Sequence, residues 1–354
     1  GGWEIEVESE LANGELTVPF EFSQRIPITL DMDRLLLMEP DRGDFGTTDP
    51  RTLPPIQAKI AEFAIGDVQF GALEASVVSV SQGLQTEKLE FAGDSYTATG
   101  VGAWFVIEDT QRSRLQLSLA STGVLDTLVD MGYEPLMDGE VGEVYADLAW
   151  EGSPGEGFLY RSIGEVRVRI KNGQLFKVEP GGGRFLGLMS VAALPRRLQL
   201  DFSDVFDEGL GFKRVKGDFR LDRGNAYTCN LGLEGPVADV GVVGRAGIRD
   251  EDYEQLAVVR PHMSNALPIG AFIVSPGLGA AMLLINRIFR EPMSSIGESY
   301  YRVNGPWTNP AVEKVERTDI DLAAFQDCEK LLPEIAFDPS KLTLELPQGS
   351  DADV

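Results

Sequence analysis

The side chains that most often carry out chemistry are few in this chain and widely spaced. His262 is its one histidine, so no zinc site of recognisable spacing and no Ser-His-Asp triad can be built around it. The glycines at 277 and 279 lack the third glycine of a dinucleotide loop, and Gly181–Gly183 is not followed by the Lys-Ser/Thr of a P-loop. Acidic residues are abundant but form no defined catalytic pair. We therefore predict a non-enzymatic protein without cofactor or metal, and interpret His262 as a loop residue.

The two cysteines, Cys229 and Cys328, allow two interpretations. Cys229 alternates with Leu231 and Leu233, a position that favours a small buried hydrophobic side chain. A disulfide with Cys328 is the alternative, and spacing alone does not decide between them.

Composition excludes several classes of protein. The 354 residues are 43% apolar and 25% charged, which fits neither a disordered chain nor a membrane bundle. The net charge of -25 excludes nucleic acid as a partner, because phosphate binding requires an excess of basic residues. The chain opens on Gly1-Gly2-Trp3 with no apolar leader, so we expect any targeting information to lie upstream.

The elements that must position any site are mostly short strands. Leu115, Leu117 and Leu119 alternate with Gln116 and Ser118, which is the period of a half-buried strand. Comparable runs recur at short, regular spacing from the first residues to about residue 304. We predict a mainly β protein built as one long antiparallel meander.

Asn-Gly pairs suggest where two of the turns lie. Asn13-Gly14 follows an alternating run, and Asn172-Gly173 follows the alternating segment 165–170. Because Asn and Gly both tolerate positive φ, each pair predicts a hairpin turn.

A few short helices interrupt the strands. Residues 122–131 have helical spacing, with Thr122 as the expected N-cap and Gly132 as the stop. Further helices are expected near 181–194 and 276–290. The apolar stretch 266–289, which has no charged residue before Arg287, is interrupted by Pro268, Pro276 and neighbouring glycines, so the helix is too short to span a bilayer. It is predicted to plug a groove end or lie against a membrane, with a buried core helix as the alternative.

These elements suggest three segments and one extended apolar surface. The segments are 1–180 (β groove), 181–317 (β with two helices) and 318–354 (short helix, strand and acidic tail). So many strands with one apolar face must close, pair with a second sheet or be covered. Curling into a trough would make the apolar face a groove, whereas a closed core would use the same side chains. The groove candidates are Val166, Val168, Ile170, Leu198, Leu200, Phe202, Phe219, Leu221, Leu231 and Leu233.

Several longer runs resemble a known family. They are GGGRFLGLMSVAALPRRLQLDFSDVF, LDRGNAY, LEGPVADVGVVGRAGI, VVRPHMSNALP and YYRVNGPW, with ANGELTVPF, DPRTLPPI and ADLAWEGSPGE earlier in the chain. In order and spacing they resemble the C-terminal part of the YhdP-like proteins of the AsmA-like superfamily, from about Trp3 to Val315. The resemblance implies an elongated, curved β-sheet groove that carries phospholipid acyl chains across the periplasm of Gram-negative bacteria, from inner towards outer membrane.

The resemblance also implies partners. An inner-membrane anchor would lie upstream in the same protein, phospholipid would be the cargo, and the outer membrane would be contacted near 266–290. Arg184, Arg196 and Arg197 are candidates for lipid headgroups. The membrane-contact candidates are Phe272, Ile273, Leu278, Leu283, Leu284, Ile288 and Phe289. A structural or assembly protein of the envelope with a closed β core is the alternative function, and a hydrolase of envelope lipids is a third.

Overall fold

The computed structural model describes residues 1–21, 26–38, 48–155, 157–176, 210–262 and 298–320. Within these ranges the chain forms sixteen β-strands and one short α-helix, α1 (Val124–Asp130). The strands are β1 (Gly2–Glu8), β2 (Ala12–Pro19), β3 (Ile28–Leu37), β4 (Ile56–Ile65), β5 (Val68–Val80), β6 (Gly83–Ala92), β7 (Tyr96–Ile107), β8 (Thr110–Ser121), β9 (Met137–Glu151), β10 (Ile163–Leu175), β11 (Leu210–Asp222), β12 (Asn225–Glu234), β13 (Ala238–Gly247), β14 (Asp252–Pro261), β15 (Ser299–Pro306) and β16 (Ala311–Val315).

All sixteen strands belong to one sheet, in the order of the sequence from β1 to β16. The predicted mainly β meander is confirmed, with one departure, because β3 and β4 pair in parallel. Parallel neighbours need a connection long enough to return to the starting end of the sheet. The eighteen residues between Leu37 and Ile56 provide that length.

The prediction of a turn at Asn13-Gly14 is wrong. The turn lies at residues 9–11, where the Ser9 hydroxyl accepts a hydrogen bond from the Ala12 N–H at 3.0 Å. Asn13 and Gly14 belong to β2, and Gly14 has φ +134° where the pairing with β3 shifts register. Positive φ serves a bulge here rather than a hairpin.

The turn predicted at Asn172-Gly173 is also wrong. Asn172 has φ +47°, but β10 continues through it and stays paired with both β9 and β11. Gly173 lies so close to β9 that an added β-carbon would be 2.0 Å from the Asp138 carbonyl oxygen. The Asn172-Gly173 pair therefore allows β10 to lie close to β9 and does not form a turn.

The helix predicted over 122–131 forms as α1, but its N-cap is Gly123 rather than Thr122. The Thr122 hydroxyl is used elsewhere, because it donates to the Ser95 carbonyl at 3.3 Å. Gly132, with φ +73°, ends the helix as predicted. The helices expected near 181–194 and 276–290 lie outside the described residues, as does the segment boundary at 181, so both stay predictions.

Candidate apolar binding face

The sheet has two chemically different sides. Strand pairing aligns one row of apolar side chains across nine of the first ten strands, with Gly14 in the same row on β2. We call this side of the sheet the apolar face and the opposite side the polar face. The row consists of Val7, Met32, Ile60, Leu73, Phe91, Ala98, Leu119, Val144 and Val168.

The middle of the apolar face is formed by β8 and its neighbours. Leu115, Leu117 and Leu119 lie opposite Leu148, Ala146 and Val144 of β9, in that order. All three leucines are half-buried, so they have the predicted alternation but are not enclosed in a core.

The helix α1 borders the apolar face at one end of the strands. Val124 packs so tightly on β9 that a β-carbon at Gly142 would come within 2.9 Å of the Val124 Cγ2 atom. Just after the helix, Gly132 lies beside Val68 of β5. The helix therefore extends from the first residues of β9 towards the start of β5, although three strands separate these two in the sheet.

A cluster of buried hydroxyl groups holds α1 in this position. The Thr127 hydroxyl is 2.9 Å from that of Ser95 and 2.8 Å from that of Ser121. Ser95 also donates to the Asp130 carboxylate at 2.9 Å. These bonds tie the helix to the turns at the ends of β6 and β8, so the border is fixed by polar contacts as well as by packing.

The other end of the strands is bordered by loops. The Gln111 side chain accepts a hydrogen bond from the Trp104 indole at 3.1 Å and donates to the Thr48 carbonyl at 2.9 Å. The Trp150 indole donates to the Ser153 carbonyl at 2.9 Å, and its ring contacts that of Phe158 in a tilted arrangement with 5.0 Å between the centroids. The accessible part of the face lies between these loops and α1.

Exposure of the apolar face changes along the sheet. At the β1 edge Trp3 is 65% exposed and Ile5 43% exposed. From β8 to β10, Leu117, Val144 and Val168 are half-buried. The face is therefore most exposed at the β1 edge and half-buried from β8 to β10, whereas Met32, Ile60, Leu73 and Ala98 between them are buried.

From the end of β10 onward the same face is enclosed. Leu231 and Leu233 are 0% exposed. They belong to a cluster of buried side chains that also contains Ile170, Val215, Phe219, Leu221, Val240, Val242, Ala257, Val259, Tyr301 and Val303.

Part of the polar side of these last strands is buried as well. Val243, Leu256, Val258, Tyr300 and Ile320 form a second cluster there. Close to it, Arg260 and Glu298 form an ion pair of 3.1 Å whose side chains are 10% and 3% exposed. Burial raises the pKa of the Tyr300 phenol above its ordinary range, and Glu298, which accepts its hydrogen bond at 2.8 Å, adds to the effect.

Seven of the ten groove candidates lie in the described residues, and strand pairing places all seven on the apolar face. Val166 and Val168 are half-buried, whereas Ile170, Phe219, Leu221, Leu231 and Leu233 are buried. A lipid contact for any of them stays a prediction. Leu198, Leu200 and Phe202 lie outside the described residues, as do Arg184, Arg196, Arg197 and the membrane-contact candidates Phe272, Ile273, Leu278, Leu283, Leu284, Ile288 and Phe289.

The groove candidates named from the sequence do not include the apolar side chains of β1 to β9. The sequence does contain the pattern that predicts them, because Leu115, Leu117 and Leu119 alternate with polar residues as clearly as the groove candidates do. The sequence does not show that strand pairing aligns these leucines with Phe91 and Leu73, which lie on β6 and β5.

The polar face carries paired charges. Arg114 binds the Asp147 carboxylate at 2.7 Å, and Arg169 binds that of Asp218 at 2.6 Å. Burial opposes ionisation of Asp147, but hydrogen bonds from Arg114 and Gln116 outweigh it and hold the pKa of this carboxyl below its usual value. From β8 to β11 the polar face therefore carries ion pairs that join neighbouring strands.

The residues considered first for chemistry do not converge. His262 follows β14 and is exposed, with its Nε2 atom 3.1 Å from the Asp239 carboxylate. Cys229 lies at a bulge in β12 and forms a disulfide, so it is not the buried free cysteine that its spacing favours. In the described ranges no group of His, Cys, Asp or Glu is arranged to hold a metal ion. No helix in those ranges has the length and apolar character to cross a bilayer.

This fold and face define a class of protein: a single open β-sheet with a long apolar face that is partly accessible, at the β1 edge and from β8 to β10. A family model, described as YhdP protein, matches residues 1–312, and the chain belongs to this family.

A curated relative extends this finding. The chain is 26% identical over 288 residues to the intermembrane phospholipid transporter YhdP of Escherichia coli (strain K12). The match covers 78% of this chain and 23% of the relative, so the chain corresponds to about a quarter of that protein. No solved structure matches the chain.

Proposed function

We propose that this chain is a non-enzymatic conduit for phospholipid acyl chains, part of a bridge that carries phospholipid across the periplasm from the inner towards the outer membrane. The observation that carries the proposal is the row of apolar side chains aligned from β1 to β10, whose members on β8 to β10, Leu119, Val144 and Val168, are half-buried. Membership of a family whose curated relative is named a phospholipid transporter supports the choice of cargo.

The energetics explain why a continuous face is needed. Exposing two acyl chains of roughly fifteen methylenes each to water costs on the order of 20 kcal/mol, at about 0.8 kcal/mol per methylene. The half-buried Leu and Val side chains on β8 to β10 can offset part of this cost where an acyl chain lies against them. Such a face needs no catalytic residue, because neighbouring contacts are chemically alike.

Chemistry and family membership both support a periplasmic location for this proposal. The disulfide of Cys229 is of a kind that persists in oxidising compartments such as the bacterial periplasm. In this proposal an inner-membrane anchor lies upstream in the longer protein, and the segment 266–290 contacts the outer membrane locally through apolar side chains. The net charge of -25 disfavours electrostatic binding to anionic lipid surfaces.

One observation favours a second function, a structural or assembly protein with a closed core. The apolar face of β11 to β15 is fully enclosed, as the 0% exposure of Leu231 and Leu233 illustrates. If the first ten strands were also covered in solution, the whole sheet would be a scaffold.

Native mass spectrometry with lipid extraction tests the proposal on the chain purified from a Gram-negative host. We expect bound phospholipid in the wild type and its loss in the double variant Leu117→Asp/Leu119→Asp. The matched control is Ser118→Asp/Ala120→Asp, which places the same two charges on the exposed polar side of the same strand. Both variants must retain the wild-type circular dichroism spectrum.

Two outcomes would contradict the conduit. A folded wild-type chain without lipid would favour the closed scaffold. Equal loss of lipid in the two double variants would show that charge, rather than access to the apolar face, controls binding.

A further inference from the structure

An arginine lies where the loop after β9 borders the apolar face. The Ser153 carbonyl accepts hydrogen bonds from the Trp150 indole at 2.9 Å and from the Arg161 guanidinium at 3.4 Å. Because Trp150 is the last apolar side chain of the face on β9, this shared carbonyl places the guanidinium beside that end of the face. A second bond from Arg161, to the Glu151 carbonyl at 2.8 Å, holds it there.

A second arginine reaches the same loop from another hairpin. Arg249 follows β13, and its guanidinium donates to the Tyr160 carbonyl at 2.7 Å. Tyr160 directly precedes Arg161, so both cationic side chains are bound to one short segment. Both are held by carbonyl oxygens, and neither forms an ion pair with a described residue. Since a guanidinium has five N–H donors, each arginine keeps donors for an anion.

The acidic side chains closest to these arginines in sequence are Glu151, Asp250 and Glu251. All three are exposed, and none forms an ion pair within the described ranges. Their charges act on the arginines through water, where screening is strong. The two guanidinium groups therefore remain available to an anion that contacts them directly.

The opposite end of the same strands has the opposite charge. Residues 122–142, which include α1 and the start of β9, contain no basic residue and several acidic ones: Asp126, Asp130, Glu134, Asp138 and Glu140. A phosphate would be repelled at this end. The methyl ends of acyl chains would instead meet the apolar side of α1, where Val124 and Leu128 are buried.

The distance between the two ends suits an acyl chain that lies along the strands. The half-buried leucines of β8 extend from Leu115 to Leu119, over about 14 Å at about 3.4 Å per residue. One leaflet of the hydrocarbon core of a bilayer is about 15 Å thick, which is half of about 30 Å. An acyl chain could therefore reach from the loop border to α1.

We propose that Arg161 and Arg249 form a binding site for the phosphate of a phospholipid whose acyl chains lie on β8 to β10 with their methyl ends towards α1. This inference rests on the proposed function, because it assigns the headgroup end of the same face. Charge-assisted hydrogen bonds from two guanidinium groups recognise phosphate irrespective of the alcohol esterified to it. The site therefore selects for phosphate and not for one headgroup.

The test compares two short-chain lipids with the same acyl chains, phosphatidylglycerol and diacylglycerol, of which only the first has a phosphate. Native mass spectrometry measures the binding of each to the intact chain. We expect the wild type to bind phosphatidylglycerol at least about tenfold more tightly than diacylglycerol. The double variant Arg161→Gln/Arg249→Gln should lose this preference and bind diacylglycerol as the wild type does.

A matched control removes the same charge elsewhere. Arg167→Gln/Lys171→Gln changes two exposed positions of β10 outside the site and should leave the preference unchanged. If Arg161→Gln/Arg249→Gln lowers the melting temperature, Arg249→Gln alone gives the same readout, because this exposed side chain makes one hydrogen bond to the loop.

A second variant strengthens the site without changing either arginine. Asp250→Asn/Glu251→Gln removes two exposed negative charges beside Arg249 and should raise the preference for phosphatidylglycerol about twofold. Inorganic phosphate at the concentration of the lipid should not displace it, because phosphate alone lacks the acyl contacts. Displacement would overturn the lipid assignment and show a site for free phosphate.

The remaining outcomes separate this inference from the function on which it rests. Equal binding of both lipids by the wild type would overturn the phosphate site but not the conduit, whereas binding of neither lipid would contradict the conduit itself. A preference that survives in Arg161→Gln/Arg249→Gln would place the phosphate elsewhere. A photoreactive group at the methyl end of the acyl chain should label α1, and labelling of the segment around Tyr160 instead would overturn the orientation.

Discussion

The first ten strands and the last six share the same alternation of apolar and polar side chains, but their apolar side chains differ in exposure. Leu117 on β8 and Leu231 on β12 both point to the apolar face, yet the first is half-buried and the second is fully enclosed. In the first region the sheet is one layer with borders at its two ends. In the last region part of the polar side is buried too, around Val258 and Tyr300.

This difference shows that an apolar strand face does not by itself define a core. Whether an apolar side chain is buried depends on what packs over it. A single sheet leaves a face uncovered unless another element packs on that face. The half-buried side chains from β8 to β10 are therefore the ones to test for ligands, and the buried clusters of both regions stabilise the fold.

The largest contrast is expected from matched leucine truncations. Leu231→Ala should lower the free energy of unfolding by about 3–5 kcal/mol, because it leaves a cavity in a closed cluster. Leu117→Ala should lower it by about 1 kcal/mol, because the side chain is already partly in water. Urea denaturation of both variants measures the difference. Equal losses would mean that the first ten strands are enclosed as well.

Ion pairs should show the same contrast. Glu298→Ala leaves Arg260 charged in a buried site and should cost about 3 kcal/mol. Glu62→Ala breaks the pair of Arg34 with Glu62, whose side chains are both nearly half exposed, and should cost less than about 1 kcal/mol. The two free energies of unfolding come from urea titrations at one ionic strength. A large effect of Glu62→Ala would contradict the open character of the first region.

The polar face should respond to pH alike in both regions. Asp147 and Asp252 each have a pKa lowered below the ordinary 3.8, in Asp252 chiefly by hydrogen bonding to Arg245. Their stabilisation is complete above the unfolded value and is lost as pH falls through the lower folded value. In the wild type, the urea concentration at the unfolding midpoint should fall between neutral pH and about pH 3. Asp147→Asn and Asp252→Asn should each make this fall smaller.

That comparison has its own control. Glu21 is exposed and has no ion-pair partner in the described part of the chain, so Glu21→Gln should leave the pH profile unchanged. A flattened profile in only one of the two aspartate variants would show that the polar face also differs between the regions.

The smallest effect on stability is expected at the exposed edge. Trp3 contacts Phe20 edge-on at 5.2 Å but stays largely in water, so Trp3→Ser should change the free energy of unfolding by no more than about 0.5 kcal/mol. It should nevertheless reduce binding of an apolar fluorescent dye. A marked loss of stability would indicate that Trp3 is covered in solution.

The sequence alone determined where most of the strands lie and which of their side chains share a face. Alternation in segments such as 114–120 and 165–170 fixes which side chains share a face, because successive side chains on a strand point to opposite sides. The helix over 122–131 followed from local spacing for a similar reason. Resemblance to the YhdP-like family was equally a property of the sequence, and the family match confirms it.

The tertiary structure decided what local signals could not. Asn13-Gly14 and Asn172-Gly173 have the composition of turns, but pairing on both sides of β2 and β10 uses their positive φ for bulges and close contacts instead. The parallel pair of β3 and β4 depends on where a long loop returns. Above all, exposure of the apolar face depends on contacts between residues far apart in sequence, so Leu117 and Leu231 look alike in the sequence and differ in the fold.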